Sequence, residues 1–136
     1  MKGGNKMRLD NDLIRDLMIF SENSLNAVTE YIRYPEIESF AENKNRSIDE
    51  INYHLWELNN AGLLEVRFDY GSDTIIYVVI NNMTWEGHQF LDKIRDPRIW
   101  KDTKKVASKL ESISVTMLSE IGTNVLNHFI DKQMGY

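Results

Sequence analysis

The side chains best suited to a binding surface lie on one predicted helix that begins after Ser47. Ser47 and Glu50 have the spacing of a capping box, in which the serine oxygen accepts from the amide three residues on and the glutamate reaches back to the cap amide. The polar and aromatic side chains off the buried stripe of this helix are Asp49, Asn52, Tyr53 and Trp56. A helix that presents such side chains can enter a DNA major groove or contact another protein.

Local charge distinguishes between these two partners. Residues 36–80 contain three basic and nine acidic side chains, which gives a net charge of −6. Specific DNA binding relies on several contacts from Lys and Arg to phosphates. The turn before the helix offers only Lys44 and Arg46 for this purpose. The surface around the helix is therefore expected to repel phosphates.

We therefore predict that Asn52, Tyr53 and Trp56 bind another protein, because aromatic residues concentrate binding energy at protein interfaces. A second interpretation of the pattern is that Trp56 packs beneath neighbouring helices. The alternative function is that of a DNA-binding transcriptional regulator, dimeric, with Lys44, Arg46, Asn52 and Tyr53 at the nucleic acid.

A basic segment follows further along the chain. Residues 93–109 carry seven basic and two acidic side chains, a net charge of +5. Four of the basic residues recur at three- and four-residue steps on one helix face: Arg98, Lys101, Lys105 and Lys109. A solvated face is one interpretation. The other is docking to nucleic acid or to an acidic protein surface, including the acidic N-terminal half of a second copy, and we include these four residues among the predicted partner-binding residues.

Residue spacing gives no support to catalysis or metal binding. The three histidines, His54, His88 and His128, lie on separate predicted elements, and none has a second ligand at metal spacing. The sequence contains no cysteine, which excludes thiolate zinc sites and cysteine nucleophiles. It also contains no glycine-rich phosphate loop and no nucleophile elbow. We expect no catalytic residue, no metal site and no cofactor, and a protein that is not an enzyme.

Length and composition bound the remaining possibilities. A chain of 136 residues with 42% hydrophobic residues and a net charge of −5 is typical of one globular domain with a helical appendage. The longest apolar run covers residues 75–80, whereas about 20 residues are needed to span a membrane. We expect a cytoplasmic protein without a membrane segment, since the lack of cysteine is compatible with a reducing compartment. Residues 1–6 are predicted to be a disordered leader.

Hydrophobic periodicity and capping residues predict the elements that position these side chains. In chain order they are a helix from Asn11, a short strand at 27–33, a helix from Pro35, the helix after Ser47, a hairpin of strands 64–70 and 74–80, a helix capped by Thr84, and helices from 97 onward with a break near 111–114. In the helix after Thr84, we expect Gly87 to permit close packing and Trp85 to lie in the core.

The C-terminal helices carry two predicted apolar stripes. The first consists of Trp100, Thr103, Val106 and Leu110, and the second of Ile113, Met117, Ile121, Val125, Phe129 and Ile130. The second stripe either packs back onto the preceding domain or forms the seam of a homodimer.

The order of elements is helix, strand, helix, helix, strand, strand and then further helices. This is the order of a winged helix-turn-helix with a C-terminal helical extension, an α+β fold. We place the winged-helix domain at residues 7–96 and the extension at residues 97–136.

Two sequence blocks resemble a known family. Residues 7–16 (MRLDNDLIRD) and 83–96 (MTWEGHQFLDKIRD), with Trp100 and Thr103-Lys104 after them, are similar to the small bacterial and prophage proteins of the domain of unknown function 2513 family. The resemblance implies a winged-helix-like fold and a phage or mobile-element setting. It brings no established activity and no catalytic residues. We therefore expect a small non-enzymatic protein that modulates a host process or defence by binding another protein.

Overall fold

Six helices and a two-stranded antiparallel sheet form the α+β architecture of the residues that this computed structural model describes, 8–26 and 28–135. The elements in chain order are α1 (Asn11–Ser24), α2 (Tyr34–Asn43), α3 (Ile48–Asn60), β1 (Leu64–Tyr70), β2 (Ile75–Met83), α4 (Trp85–Ile94), α5 (Pro97–Ala107) and α6 (Val115–Gln133). The leader predicted at residues 1–6 lies outside the described residues. Within the described ranges, no helix is both long enough and apolar enough to cross a membrane.

Helix α3 begins after Ser47, as predicted, because Ser47 Oγ accepts a hydrogen bond from the Glu50 backbone N–H at 3.1 Å. The other half of the predicted capping box is wrong. The Glu50 carboxylate does not reach back to the cap amide and instead pairs with Arg46, 3.0 Å from Nη1. In the same turn between α2 and α3, Asn45 adopts a φ of 57°, a left-handed conformation that asparagine tolerates better than most residues.

The predicted β-hairpin is confirmed, since β1 and β2 are antiparallel neighbours in one sheet. The strand predicted at residues 27–33 is wrong over most of its length. Only Ile32 bridges to the sheet, through backbone hydrogen bonds of 2.8 and 3.0 Å with Ile80. The Asn26 side chain accepts from the amides two and three residues on, so a local turn takes the place of strand pairing. Residue 27 itself lies outside the described part of the chain.

One buried apolar cluster includes residues from all the elements described above. The largest share from one helix comes from α1, through Leu13, Ile14, Leu17 and Met18. Trp100, Val115 and Leu118 bring α5 and α6 into the same cluster. The core therefore continues across residues 96 and 97, where we predicted the extension to begin, and the C-terminal helices pack back onto the preceding elements.

The two apolar stripes predicted for the C-terminal helices are confirmed in part. Trp100 and Thr103 of the first stripe are buried, and Ile113 and Ile121 of the second pack against the core. The buried residues of α5 are Ile99, Trp100, Thr103 and Ala107, and those of α6 are Val115, Leu118 and Gly122. Val106 is 42% exposed and Leu110 is 46% exposed. Met117 and Ile130 of the predicted second stripe are exposed as well. The fold therefore covers the apolar side chains of α6 only in part.

Helix α4 confirms one expectation and corrects another. A Cβ at Gly87 would lie 2.1 Å from the Leu63 carbonyl oxygen and 2.8 Å from Met83 Cγ, so the close packing predicted there is confirmed. Trp85 was expected in the core and is 71% exposed. The reason is its position in the first turn of α4, off the face on which Gly87 and Phe90 are buried.

Replacing Gly87→Ala is expected to lower the free energy of unfolding by about 1 to 3 kcal/mol, because the methyl group overlaps a backbone carbonyl that cannot move freely. This is the net loss that remains after the gain of about 1 kcal/mol that alanine brings to a helix interior. Urea denaturation of Gly87→Ala beside Gln89→Ala, an exposed change on the same helix, measures the difference. Equal stability of the two variants would contradict the close contact.

His54 links α3 to the start of α1. Its Nε2 accepts a hydrogen bond from the Asp10 backbone N–H at 2.8 Å, and its Nδ1 lies 2.8 Å from the Glu50 carbonyl oxygen, to which it donates. Both ring nitrogens are thus used by the neutral form. Burial lowers the pKa of His54, although the Glu50 carbonyl and the carboxylates of Asp10 and Glu50 oppose this effect, and the charge of Arg46 adds to it.

We expect the free energy of unfolding to fall as the pH drops below about 6.5, because the unfolded chain then takes up a proton at His54 before the folded chain does. The stabilisation from neutral His54 is complete above that pH. His54→Phe should flatten this slope between pH 7 and pH 5 and cost about 1 to 3 kcal/mol at neutral pH through the unpaired backbone groups. Denaturation at a series of pH values tests this, with the exposed His88→Phe as control; an unchanged slope in His54→Phe would refute the assignment.

Candidate functional site

The exposed aromatic side chain of α3 is Trp56, with 45% of its surface accessible. Helix α3 is fixed beneath it by Ile51, Leu55 and Leu58, all fully buried. The interpretation in which Trp56 packs beneath neighbouring helices is therefore wrong. Asp49 and Asn60 are also exposed on α3, so Trp56 stands on a polar and acidic helix surface.

Asn52 does not belong to this surface. It is 5% exposed, and its Nδ2 donates a hydrogen bond to the Tyr34 hydroxyl at 3.2 Å. The prediction that Asn52 contacts a protein or DNA partner is wrong, because the side chain points into the contact between α3 and α2. Its Oδ1 has no hydrogen-bond partner among the described residues.

Tyr53 is half-buried and lines a cleft of about 760 Å³ between α3 and the segment that joins α5 to α6. Its ring packs edge-on against His54, with ring centroids 5.2 Å apart. Burial raises the pKa of the Tyr53 hydroxyl, and the carboxylate of Glu57, which lines the same cleft, raises it further. The structure therefore separates Tyr53 from Trp56: the first faces a cleft and the second faces open solvent.

The two cations predicted to hold DNA are engaged within the fold. Arg46 Nη2 lies 2.6 Å from Asp10 Oδ2, and its other terminal nitrogen pairs with Glu50. Lys44 Nζ lies 3.4 Å from the Asp16 carboxylate. Burial alone would raise the pKa of Asp10, but hydrogen bonds from Arg46 and the Leu13 amide outweigh it and hold the pKa below its ordinary value. Arg46 in particular is a structural residue, which was not visible in the sequence.

The basic residues predicted on α5 fall into two groups. Arg98 pairs with Asp96 at 2.8 Å, and its guanidinium carbon lies 4.9 Å from the centre of the Phe129 ring. Lys101, Lys105 and Lys109 are exposed and form no ion pair with any described residue. This part of the predicted stripe is a row of unneutralised charges.

Two of these lysines border a groove that the sequence did not indicate. Lys105 and Lys109 line a groove of about 560 Å³ between α5 and α6, with Val106 beside them. The α6 side contributes Ile121, Val125 and Phe129. The predicted second apolar stripe already contained Ile121, Val125 and Phe129, which recur at steps of four residues on α6. The groove was not predicted because Val106, its α5 side, was assigned to the buried face of α5.

The histidines do not come together. His54 is buried in α3, while His88 on α4 and His128 on α6 are exposed. Over the residues that the structure describes, no three His, Asp or Glu side chains form a group that could hold a metal ion.

Comparison with known proteins finds similarity to a protein family and to a bacterial protein. The family described as "Hypothetical protein (DUF2513)" matches residues 8–114, from before α1 to the residue that caps α6. An uncharacterized protein of Haemophilus influenzae is 30% identical over 81 residues, which cover 59% of this chain and 68% of that protein. No solved structure matches the chain. Helix α3 lies within the matched residues, and α6 lies beyond them.

The structural role of Arg46 can be tested against that of Lys44. Arg46→Ala leaves two carboxylates without their partner, and we expect it to lower the free energy of unfolding by about 1 to 2 kcal/mol. Lys44→Ala removes a single exposed pair and should cost less than about 0.5 kcal/mol. Urea denaturation at low ionic strength compares them, and equal effects would mean that Arg46 does not hold the turn in place.

Proposed function

The chain belongs to the DUF2513 family, and we propose that it is a winged-helix protein that binds another protein through α3, with Trp56 at the centre of the contact. The order of elements supports the winged helix. A four-residue turn joins α2 to α3, the β1–β2 hairpin follows α3, and Ile32 bridges β2 where such domains place a short first strand.

One observation carries the choice of partner: Trp56 is exposed on an acidic helix while the nearby cations are already paired. Lys44 contacts Asp16 of α1. Arg46 contacts Asp10, which caps α1, and Glu50 of α3. Each of these contacts would compete with a contact to a DNA phosphate. A protein partner does not require cations on this surface, and its binding would be favoured by covering the indole of Trp56.

The exposed part of Trp56 is large enough to matter energetically. With 45% of the residue accessible, a partner that covers about 100 Å² of it gains about 2.5 kcal/mol at about 25 cal/mol per Å². That is the size of a single strong interface residue. Tyr53 contributes less in this proposal, since its exposed edge opens into the cleft beside α3.

The proposed role is non-enzymatic and cytoplasmic. The resemblance to prophage proteins supports a phage-associated protein whose partner belongs to a host process or to defence. No cofactor enters this proposal, and the partner is recognised through burial of the Trp56 side chain and through charge.

DNA binding is the second candidate function, favoured by Lys101, Lys105 and Lys109, which form no ion pair with a residue that the structure describes. Lys101 and Lys105 lie on α5 and Lys109 lies in the turn after it, away from α3, so they suit contacts to phosphates rather than to bases. Under this alternative, affinity for a labelled duplex would fall steeply between low and moderate salt and would depend little on sequence.

Trp56→Ala should weaken partner binding about thirtyfold, the consequence of losing about 2 kcal/mol at an interface centre. Trp85→Ala is the matched control, since Trp85 is even more exposed but lies on α4. Tagged full-length protein is used for affinity capture from host lysate with and without nuclease treatment, and the Kd of the captured protein is then measured with each variant.

Three results decide the outcome. Capture that survives Trp85→Ala and is lost with Trp56→Ala supports the proposal. Capture unchanged in a folded Trp56→Ala variant removes Trp56 from it. Capture that disappears with nuclease treatment favours the DNA-binding alternative.

A further inference from the structure

The groove between α5 and α6 combines an apolar floor with a cationic rim. Helices α5 and α6 are antiparallel neighbours, with Arg98 against Phe129 at one end and Thr103 near Gly122 in the middle. Val106, Ile121, Val125 and Phe129 form the apolar floor. The three lysines that form the rim are Lys105, Lys109 and Lys132.

The rim carries uncompensated positive charge. None of its three lysines forms an ion pair with a described residue. Asp102 is the one carboxylate among the described residues that line the groove. An occupant with carboxylates at the edges and apolar side chains in the centre would therefore match both the rim and the floor.

We propose that this groove binds an acidic amphipathic helix of another protein. Ile121, Val125 and Phe129 lie four residues apart along α6, so the floor extends about 12 Å, the length of roughly two helical turns. Apolar side chains at three- and four-residue steps on the bound helix fill this row, as in other helix-in-groove complexes. Glutamates or aspartates on its flanks pair with the three lysines of the rim.

Two other occupants fit less well. A symmetric dimer through the same groove would bring the lysines of two copies together, and like charges oppose such contact. Nucleic acid would satisfy the lysines, but it would leave the aliphatic floor of Val106, Ile121 and Val125 in contact with a hydrated backbone. The acidic helix is the occupant that uses both parts of the groove.

The experiment uses full-length protein and a fluorescein-labelled peptide of about 15 residues, with leucines at i, i+3, i+4 and i+7 and glutamates on the flanks. We expect saturable binding by fluorescence anisotropy. Lys105→Glu should weaken it at least about fivefold at low salt, and Val106→Asp should weaken it at least about tenfold. Both residues are exposed, so neither change should prevent folding.

Control variants repeat the two changes in charge at exposed positions away from the groove. Arg67→Glu makes the same change in net charge on the hairpin, and Val28→Asp is a change at an exposed valine away from the groove. Both should leave peptide binding unchanged. Trp56→Ala should leave it unchanged as well, so failure of the groove and failure of the α3 surface are separate results.

Several outcomes would overturn the proposal. One is equal binding of a control peptide in which lysine replaces every glutamate. Another is peptide binding that Val106→Asp leaves intact. A labelled DNA duplex that binds more tightly than the peptide and is sensitive to Lys105→Glu alone would assign the groove to nucleic acid. Concentration-dependent association of the protein that Val106→Asp abolishes, measured by sedimentation, would assign it to a second copy.

Discussion

The N-terminal elements are held together at the start of α1, mainly by the hydrogen bonds and the ion pair of Asp10. Its carboxylate caps α1 at Leu13 and pairs with Arg46, while its backbone N–H donates to buried His54. Each of these groups would be costly to leave unpaired in a partly buried site. The ion pair of Arg46 with Asp10 therefore holds the turn between α2 and α3 against the start of α1. The hydrogen bond from the Asp10 backbone to His54 holds α3 there as well. The same ion pairs engage Arg46, one of the two cations in the turn before α3.

The opposite side of α1 fixes the C-terminal helices. Asp12 accepts a hydrogen bond from Trp100 Nε1 at 2.9 Å and pairs with Lys104 at 3.0 Å. Arg15 donates to the carbonyls at the end of α4, where helical carbonyls have no partner within their own helix. Burial favours a raised pKa for Asp12, but the hydrogen bonds from Lys104 and Trp100 outweigh it and lower the pKa. A single helix thus sets the position of α3 on one side and of α5 on the other, and both candidate surfaces are built on the same core.

Local signals predicted the elements well because they act within a few residues. The cap at Ser47 and the alternation of β1 each depend on neighbours in sequence. The roles of Asn52 and Arg46 were not predictable in this way, since their partners Tyr34 and Asp10 are 18 and 36 positions away. In helix α5, periodicity alone could not predict which face is buried. Trp100 and Thr103 are compatible with a buried face that includes either Ala107 or Val106. Only the packing of α6 decides this, and it leaves Val106 at the surface.

The opposite charges of the two surfaces raise the question of whether one copy of the chain could bind the next. An acidic α3 surface that met the cationic groove of a second copy would form a heterologous contact, since the two patches differ. Such contacts leave one free patch at each end and extend into rings or open filaments unless the rotation happens to close. A net charge of −5 opposes the accumulation of copies that a filament requires. Separate partners for α3 and for the groove avoid this consequence. The α3 surface lies wholly within the residues that match the family, whereas the α6 side of the groove lies beyond them. The α3 surface is therefore the one whose binding we expect other members to share, whereas the groove depends on α6 and has to be judged on the geometry of this chain.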